Sequence, residues 1–198
     1  MVKQERAART RHALVKAAAV EFDRAGYEGT SLARISETAG ISMGALTFHF
    51  RTKGELAVAV QSLGRSATQD VVKRVAAHPA PALQSVIALT LELARLLEKE
   101  ASVRAAARLT RELPATAAAT AWYPAWTQTV DELLEQARDG ELRPGTDPRT
   151  VAALVAHLVA GAETHIRCRV PHTGQQSADA QLAQVWRLVL RGVSATAT

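Results

Sequence analysis

The sequence predicts an all-α protein, with a small three-helix unit at its start and a larger helical part behind it. Three observations carry that prediction. The 198 residues are rich in Ala, Leu, Val and Arg, whereas aromatic residues make up only 4%, a bias that favours helix over strand. Apolar residues recur at spacings of three and four along most of the chain. Proline falls at the breaks and first turns of these periodic stretches, as in HPAP at 78–81, rather than inside them. At 47% hydrophobic and 22% charged, the composition is that of a folded globular protein with a substantial core.

The first twelve residues, MVKQERAARTRH, form a basic arm with Lys3, Arg6, Arg9 and Arg11. A first helix follows to about Ala25, with Ala13, Leu14, Ala17, Ala18 and Phe22 as its apolar stripe and Gly26 at its end. Positive charge at a helix start opposes the helix dipole, which points to phosphate as the partner of the arm. Tyr27 is expected to pack over the end of this helix.

Thr30 to Leu56 then reads as two short helices around a tight turn, with a third behind them. Ser31 can cap a helix whose apolar positions are Leu32, Ile35 and Ala39. Gly40 supplies the positive φ of the turn. Ser42 can cap the next helix, in which Ala45, Leu46 and Phe50 face one way and Met43, Gly44, Thr47, Phe48 and His49 are left for the other side or its edge. Thr52 can cap the third helix, with Glu55 at the capping-box position. This is the layout of a helix-turn-helix, whose second helix enters the major groove. Phe48 reads as either a packing residue or a groove contact, with packing favoured.

From Thr52 to about Ala77 the apolar residues Leu56, Val60, Leu63, Ala67, Val71 and Val75 keep helical spacing without a break. This long helix is the mechanical link out of the N-terminal unit, and HPAP at 78–81 ends it. Residues 82–100 are apolar on nearly every face, so this helix should be central in its domain. A shorter helix, Ser102 to Leu113, carries Arg104, Arg108 and Arg111. ATAAATAWYP reads as a loop. Pro124 suits the first turn of a helix to about Arg138, marked by Trp126, Val130, Leu133 and Leu134. Pro148 starts a helix to about Cys168, PHTGQQSAD is a polar loop, and the last helix spans about Ala178 to Val193. The last two helices, long and rich in small apolar residues, suit a dimer seam.

Charge and chemistry narrow the function. The net charge is +5, and residues 1–60 hold nine of the 24 basic residues but six of the 19 acidic ones, so more than half of the excess is concentrated in the first third. Cys168 is alone, which rules out an intrachain disulfide. The first twelve residues are not a secretory signal and no apolar run approaches a membrane span, so a soluble cytoplasmic protein without membrane contact is expected. No nucleophile–base pair or carboxylate pair stands at usable spacing, so no enzyme is expected. His165 and Cys168 give only two metal donors, with His157 too far along the helix, so neither a metal nor a cofactor is expected.

The segment AAAVEFDRAGYEGTSLARISETAGISMGALTFHFRTKGELA, with its FDRAGYEGTS ending, AGIS turn and FHF-x-x-K-x-x-L run, resembles the TetR family of transcriptional repressors. GAL-x-FHF-x-x-K-x-x-LA-x-A, VRAAARL, the tryptophan after Pro124 and W-x-L-x-x-RG at 186–192 are similar to the butyrolactone-type autoregulator receptors of actinobacteria. That group also contains pseudo-receptors answering to antibiotic products.

The resemblance implies a helix-turn-helix DNA-binding domain at 1–52 and a ligand-binding and dimerisation domain at 53–198. It implies a homodimer on a pseudo-palindromic operator in double-stranded DNA, joined through the last two helices and released by a small apolar effector. The expected DNA contacts are Lys3, Arg6, Arg9, Ser42, Met43, Gly44, Thr47, His49 and Lys53, the last on a phosphate. Trp126, with Leu89, Leu93 and Val130 as walls and His157 as a polar contact, is the expected ligand site; Trp122 is a lid or a surface residue. The chain departs from the family pattern at Thr47, where Tyr is usual, at Met43, where Lys is common, and at Gly54, where an acidic residue is common.

Overall fold

The computed structural model describes residues 2–113, 121–168 and 176–195, and of Val2 and Lys3 the backbone alone. Among these residues there are nine α-helices: α1 (Val2–Ala25), α2 (Leu32–Ala39), α3 (Met43–His49), α4 (Lys53–Ala76), α5 (Ala82–Lys99), α6 (Ala101–Glu112), α7 (Thr127–Ala137), α8 (Pro148–Cys168) and α9 (Ala178–Val193). The all-α expectation is met. Most of the expected loop ATAAATAWYP and the first part of PHTGQQSAD lie outside the described residues. No described helix is long and apolar enough to cross a membrane.

The basic arm is not separate from the first helix: α1 already begins at Val2. No breaker stands before Gly26, Ala7 and Ala8 are strong helix formers, and Glu5 supplies the acidic group that a first turn favours. The next three starts follow the local signals. Ser31 Oγ accepts from Arg34 N at 3.2 Å and Ser42 Oγ from Ala45 N at 3.3 Å. Gly40 ends α2 with φ +62°. Thr52 Oγ1 accepts from Glu55 N at 3.1 Å, but the Glu55 carboxylate reaches back to Arg51 N, at 2.9 Å, rather than to Thr52.

The chain divides into two compact units, one of residues 1–67 with 101–123 and the other of residues 68–100 with 124–198. This grouping differs from a single cut after residue 52. The cause is α6. Its Ala105 and Leu109 are fully buried in the same core as Leu14, Ala18 and Phe22 of α1, Ile35 of α2, Leu46 and Phe50 of α3, and Leu56 and Val60 of α4. Burying each large side chain in such a core contributes about 1.5–3 kcal/mol. α6 also comes very close to α4: a Cβ added at Gly64 would lie 2.5 Å from Ala106 Cβ and 2.6 Å from Ser102 O.

In the second unit α5 is central, as its all-round apolar pattern predicts. It packs on α7, α8 and α9, with Leu83, Val86, Leu89, Leu93 and Leu97 buried. Pro81 offers no side-chain cap to α5. The Glu141 carboxylate does so from the turn that follows α7, accepting from Ala82 N at 2.8 Å and Leu83 N at 2.9 Å. Pro124 is in a short 3-10 turn, Tyr123–Ala125, and α7 begins only at Thr127.

The α4–α6 approach leaves no room for a methyl group. Gly64→Ala is expected to lower unfolding stability by about 1–3 kcal/mol, the usual cost of overpacking a fitted interface, in chemical denaturation followed by circular dichroism. An unchanged midpoint would mean that the two helices part freely.

Candidate nucleic-acid interface

α3 divides by its own periodicity. Leu46 is 0% exposed and Phe50 2% exposed, and they seat the helix on the core of the first unit. Ser42, Met43, Gly44 and Thr47 are exposed, and His49 is half-buried. Phe48 does not pack: it is 82% exposed. The reason is angular. Phe48 stands two residues from both Leu46 and Phe50, about 200° round the helix from either, so the turn that buries those two points the ring outward. Its ring meets that of His49 edge-on, with centroids 5.2 Å apart. The Thr47 hydroxyl is engaged inside the helix, on Met43 O at 3.0 Å and Gly44 O at 3.2 Å.

The cations around this face are in two states. Arg6 and Arg9 are exposed on α1, while the Lys3 side chain lies outside the described residues. The Arg11 guanidinium lies over the Phe50 ring, 4.8 Å from its centroid. Lys53, expected on a phosphate, has its ammonium on Tyr27 O at 2.8 Å and 4.3 Å above the Tyr27 ring.

Tyr27 is a junction that sequence reasoning reached only in part. Its ring stacks on Phe22, as expected for a residue over the end of α1, with centroids 6.0 Å apart and planes 16° from parallel. Its N–H donates to Glu112 Oε2 at 2.7 Å. Glu112 also takes Arg108 Nε at 2.5 Å, and Arg108 donates to Asp23 O at 2.9 Å and Arg24 O at 3.3 Å. Arg104 pairs with Asp23 at 2.7 Å, with both side chains less than a fifth exposed. α6 therefore neutralises the C-terminal carbonyls of α1 with its own arginines, where a helix end favours positive charge. The four-residue spacing of Arg104 and Arg108 was visible in the sequence; the helix end they bind was not.

A second buried group ties α1 to α2. Glu21, 5% exposed, accepts from Thr38 Oγ1 at 2.8 Å and from Arg24 at 2.6 Å. Burial raises the pKa of its carboxyl, but the hydrogen bonds from Thr38 and Arg24 and the charges of Arg24 and Arg34 outweigh burial, and the pKa lies below the usual carboxylate value.

The residues expected around a ligand fall into two groups. Trp126 and Val130 are each 1% exposed and Leu89 and Leu93 fully buried, all in the second unit. His157 does not join them: it is exposed. α8 buries Val151, Val155 and Val159, and a residue two positions beyond Val155 faces the opposite side. Trp122 is neither lid nor surface residue. It is fully buried, belongs to the first unit, and its backbone N–H donates to Thr110 Oγ1 at 3.1 Å. A groove of about 320 Å³ is lined by Val71, Arg74, Val75, His78, Ala80, Ser85, Ala88 and Glu92, none of them expected at a ligand.

A capped helix-turn-helix with an exposed second helix, flanked by basic residues and joined to a separate helical unit, defines a DNA-binding regulator. Residues 14–60 match the family described as bacterial regulatory proteins, tetR family. The chain is 29% identical over 195 residues to the A-factor receptor protein of Streptomyces griseus, covering 98% of this chain and 67% of that one. It is similar to a gamma-butyrolactone receptor (ArpA-like protein), with TM-score 0.77, 27% identity, and 96% and 91% of the two chains covered. It is also similar to the TetR family protein CprB from Streptomyces coelicolor in complex with its operator, with TM-score 0.76, 30% identity, and 96% and 91% covered. The chain belongs to the TetR family of bacterial transcriptional regulators.

The lowered Glu21 pKa fixes a sign. A carboxylate held below its unfolded value contributes stability above the unfolded pKa, about 4.3, and that contribution is lost as pH falls through the folded value. Glu21→Gln is expected to lower stability at pH 7 and to flatten the acid loss of stability between about pH 5 and pH 3, as read by denaturation across pH. Parallel stability curves for the two proteins would show that Glu21 is not held in its charged form.

Proposed function

We propose that the protein is a ligand-responsive repressor. As a homodimer joined through α8 and α9 it binds a pseudo-palindromic operator, and a small apolar signal of the butyrolactone or furan class releases it. Ser42, Met43, Gly44, Thr47 and His49 lie at the groove; Lys3, Arg6 and Arg9 hold phosphates, and Lys53 joins them with the N–H groups that Tyr27 does not take. Trp126, Leu89, Leu93 and Val130 wall the ligand site. An indole there gives a flat apolar surface and an N–H suited to a lactone carbonyl.

One observation carries this reading: α4 is continuous from Lys53, beside the recognition helix in sequence, to Ala76 in the second unit. A ligand that shifts the second unit pulls on a rigid 24-residue rod. The ligand must then bind the released conformation better than the DNA-bound one; a hundredfold difference amounts to about 2.7 kcal/mol. The dimer is supported by Leu188 on α9, which is 67% exposed and which a partner copy would cover. A second reading keeps the repressor but gives it another effector, an antibiotic-pathway product or a partner protein. The open groove at Val71, Val75 and Ala88, apart from the close-packed surroundings of Trp126, favours it.

Full-length protein is expected to retard DNA from upstream of its own or neighbouring genes, and an extract of the producing culture is expected to reverse this. Trp126→Ala should retard the same DNA and resist the extract. Absence of sequence-specific retardation would sink the repressor reading. Retardation that no extract reverses would favour a partner protein, and a Trp126→Ala protein that is still released would move the ligand site elsewhere.

A further inference from the structure

We infer that the recognition helix selects thymine by its methyl group, with Phe48 and Met43 forming an apolar probe for a thymine C5-methyl in each half-site. The inference rests on the DNA-binding reading above and goes on to name what that face reads.

Phe48 is the most exposed large apolar side chain among the described residues, at 82%, and Met43 is 41% exposed. Neither helps to hold the unit together, since the core under α3 is made by Leu46 and Phe50. In a helix, residues 43 and 47 share one row and 44 and 48 the next. The outward face is thus Met43 above Thr47 beside Gly44 above Phe48. Gly44 has no neighbour within 4 Å of where a Cβ would stand, so nothing on its own helix blocks the approach of the Phe48 ring to a base edge. The Thr47 proton is given to Met43 O and Gly44 O, which leaves a methyl group and oxygen lone pairs.

That inventory offers no bidentate base readout, and Ser42 and His49 at the two ends of the face add single hydrogen bonds only. A guanine is normally read by a bidentate guanidinium or ammonium and an adenine by a bidentate amide; Met43, Gly44, Thr47 and Phe48 supply none of these. Only one standard base-pair group in the major groove is apolar, the C5-methyl of thymine. The charge needed to hold the duplex comes from outside this face, from exposed Arg6, Arg9 and Arg51, which position the helix without reading sequence.

The test separates this inference from the reading beneath it. Full-length protein selects duplexes from a random pool, and each thymine of the enriched site is then replaced by deoxyuridine, which removes the methyl and leaves every hydrogen-bonding edge intact. At one or two positions per half-site, deoxyuridine is expected to weaken binding about fourfold, the effect of unburying one methyl group, with the salt dependence unchanged. Changing both half-sites multiplies the loss. Phe48→Ala, at an exposed site that leaves the fold intact, should bind the thymine duplex more weakly and no longer distinguish thymine from uracil there. An enriched site at which no deoxyuridine matters, or a Phe48→Ala protein with full discrimination, overturns this inference alone. A pool from which nothing is enriched overturns DNA binding, and this inference with it.

Discussion

The N–H of Tyr27, bound by the carboxylate of Glu112, is the contact on which the arrangement of the first unit depends. Tyr27 stands just past the end of α1, where the chain turns toward α2. Through its N–H it is tied to α6, through its carbonyl to Lys53 at the start of α4, and through its ring to Phe22 in the core. Gly26 makes room for this. It has φ +74°, and a Cβ there would lie 2.6 Å from an Arg108 nitrogen and 2.7 Å from a Glu112 oxygen. Any side chain at that position would expel the charged pair from the helix end it neutralises. The pairs here are half-buried, and hydrogen bonds to charged groups in such places contribute about 1.5–3 kcal/mol each, more than the roughly 0–1 kcal/mol of exposed pairs.

The consequence is a DNA-binding unit held by four helices of the N-terminal region and one that returns from later in the chain. α4 leads out of the recognition unit, and α6 comes back into it directly after α5, the central helix of the second unit, with only Glu100 between them. The chain thus passes between the units three times, along α4, from Glu100 into α6, and from Tyr123 to Pro124; the first two crossings are helical routes by which a shift in the second unit would reach the recognition helix. Along α6, the end of that route is the set of arginines on the α1 carbonyls and the carboxylate on Tyr27. The two routes converge at Gly64, where α4 and α6 come close enough to exclude a methyl group. Helices in such contact move together or not at all, because packed interiors do not deform continuously.

What could be read from the sequence was local. Ser31, Gly40 and Ser42 announce their turns because a cap is a matter of one residue and the three that follow, and the all-round apolar residues 82–99 announce a central helix for the same kind of reason. The TetR resemblance in residues 8–56 followed from motifs within that stretch. The docking of α6 on α1 was not legible, since Ala105 and Leu109 give an apolar stripe without naming its partner 80 residues away. Trp122 and Trp126 stand only four residues apart, yet one is buried in the first unit and the other in the second, a boundary that no local pattern marks. His157 was chosen for its chemistry and not for its place on the helix: α8 buries the row of Val151, Val155 and Val159, and His157 lies off that row and is exposed. Phe48 was ambiguous because α3 has hydrophobic residues at 43, 45, 46 and 48 with Phe50 just beyond its end, too many for a seven-residue helix to bury.

If α6 sets the binding geometry of the recognition unit, its contacts with α1 should matter to DNA that they do not touch. The direct measurement is a charge-swap cycle at the Arg104–Asp23 pair, read as affinity for an enriched operator duplex across salt concentrations. Neither residue is assigned to DNA, so Arg104→Asp and Asp23→Arg should each weaken binding while leaving the salt slope as it was, and the double variant should recover most of the loss. Single variants that bind like the unaltered protein would contradict this role for α6.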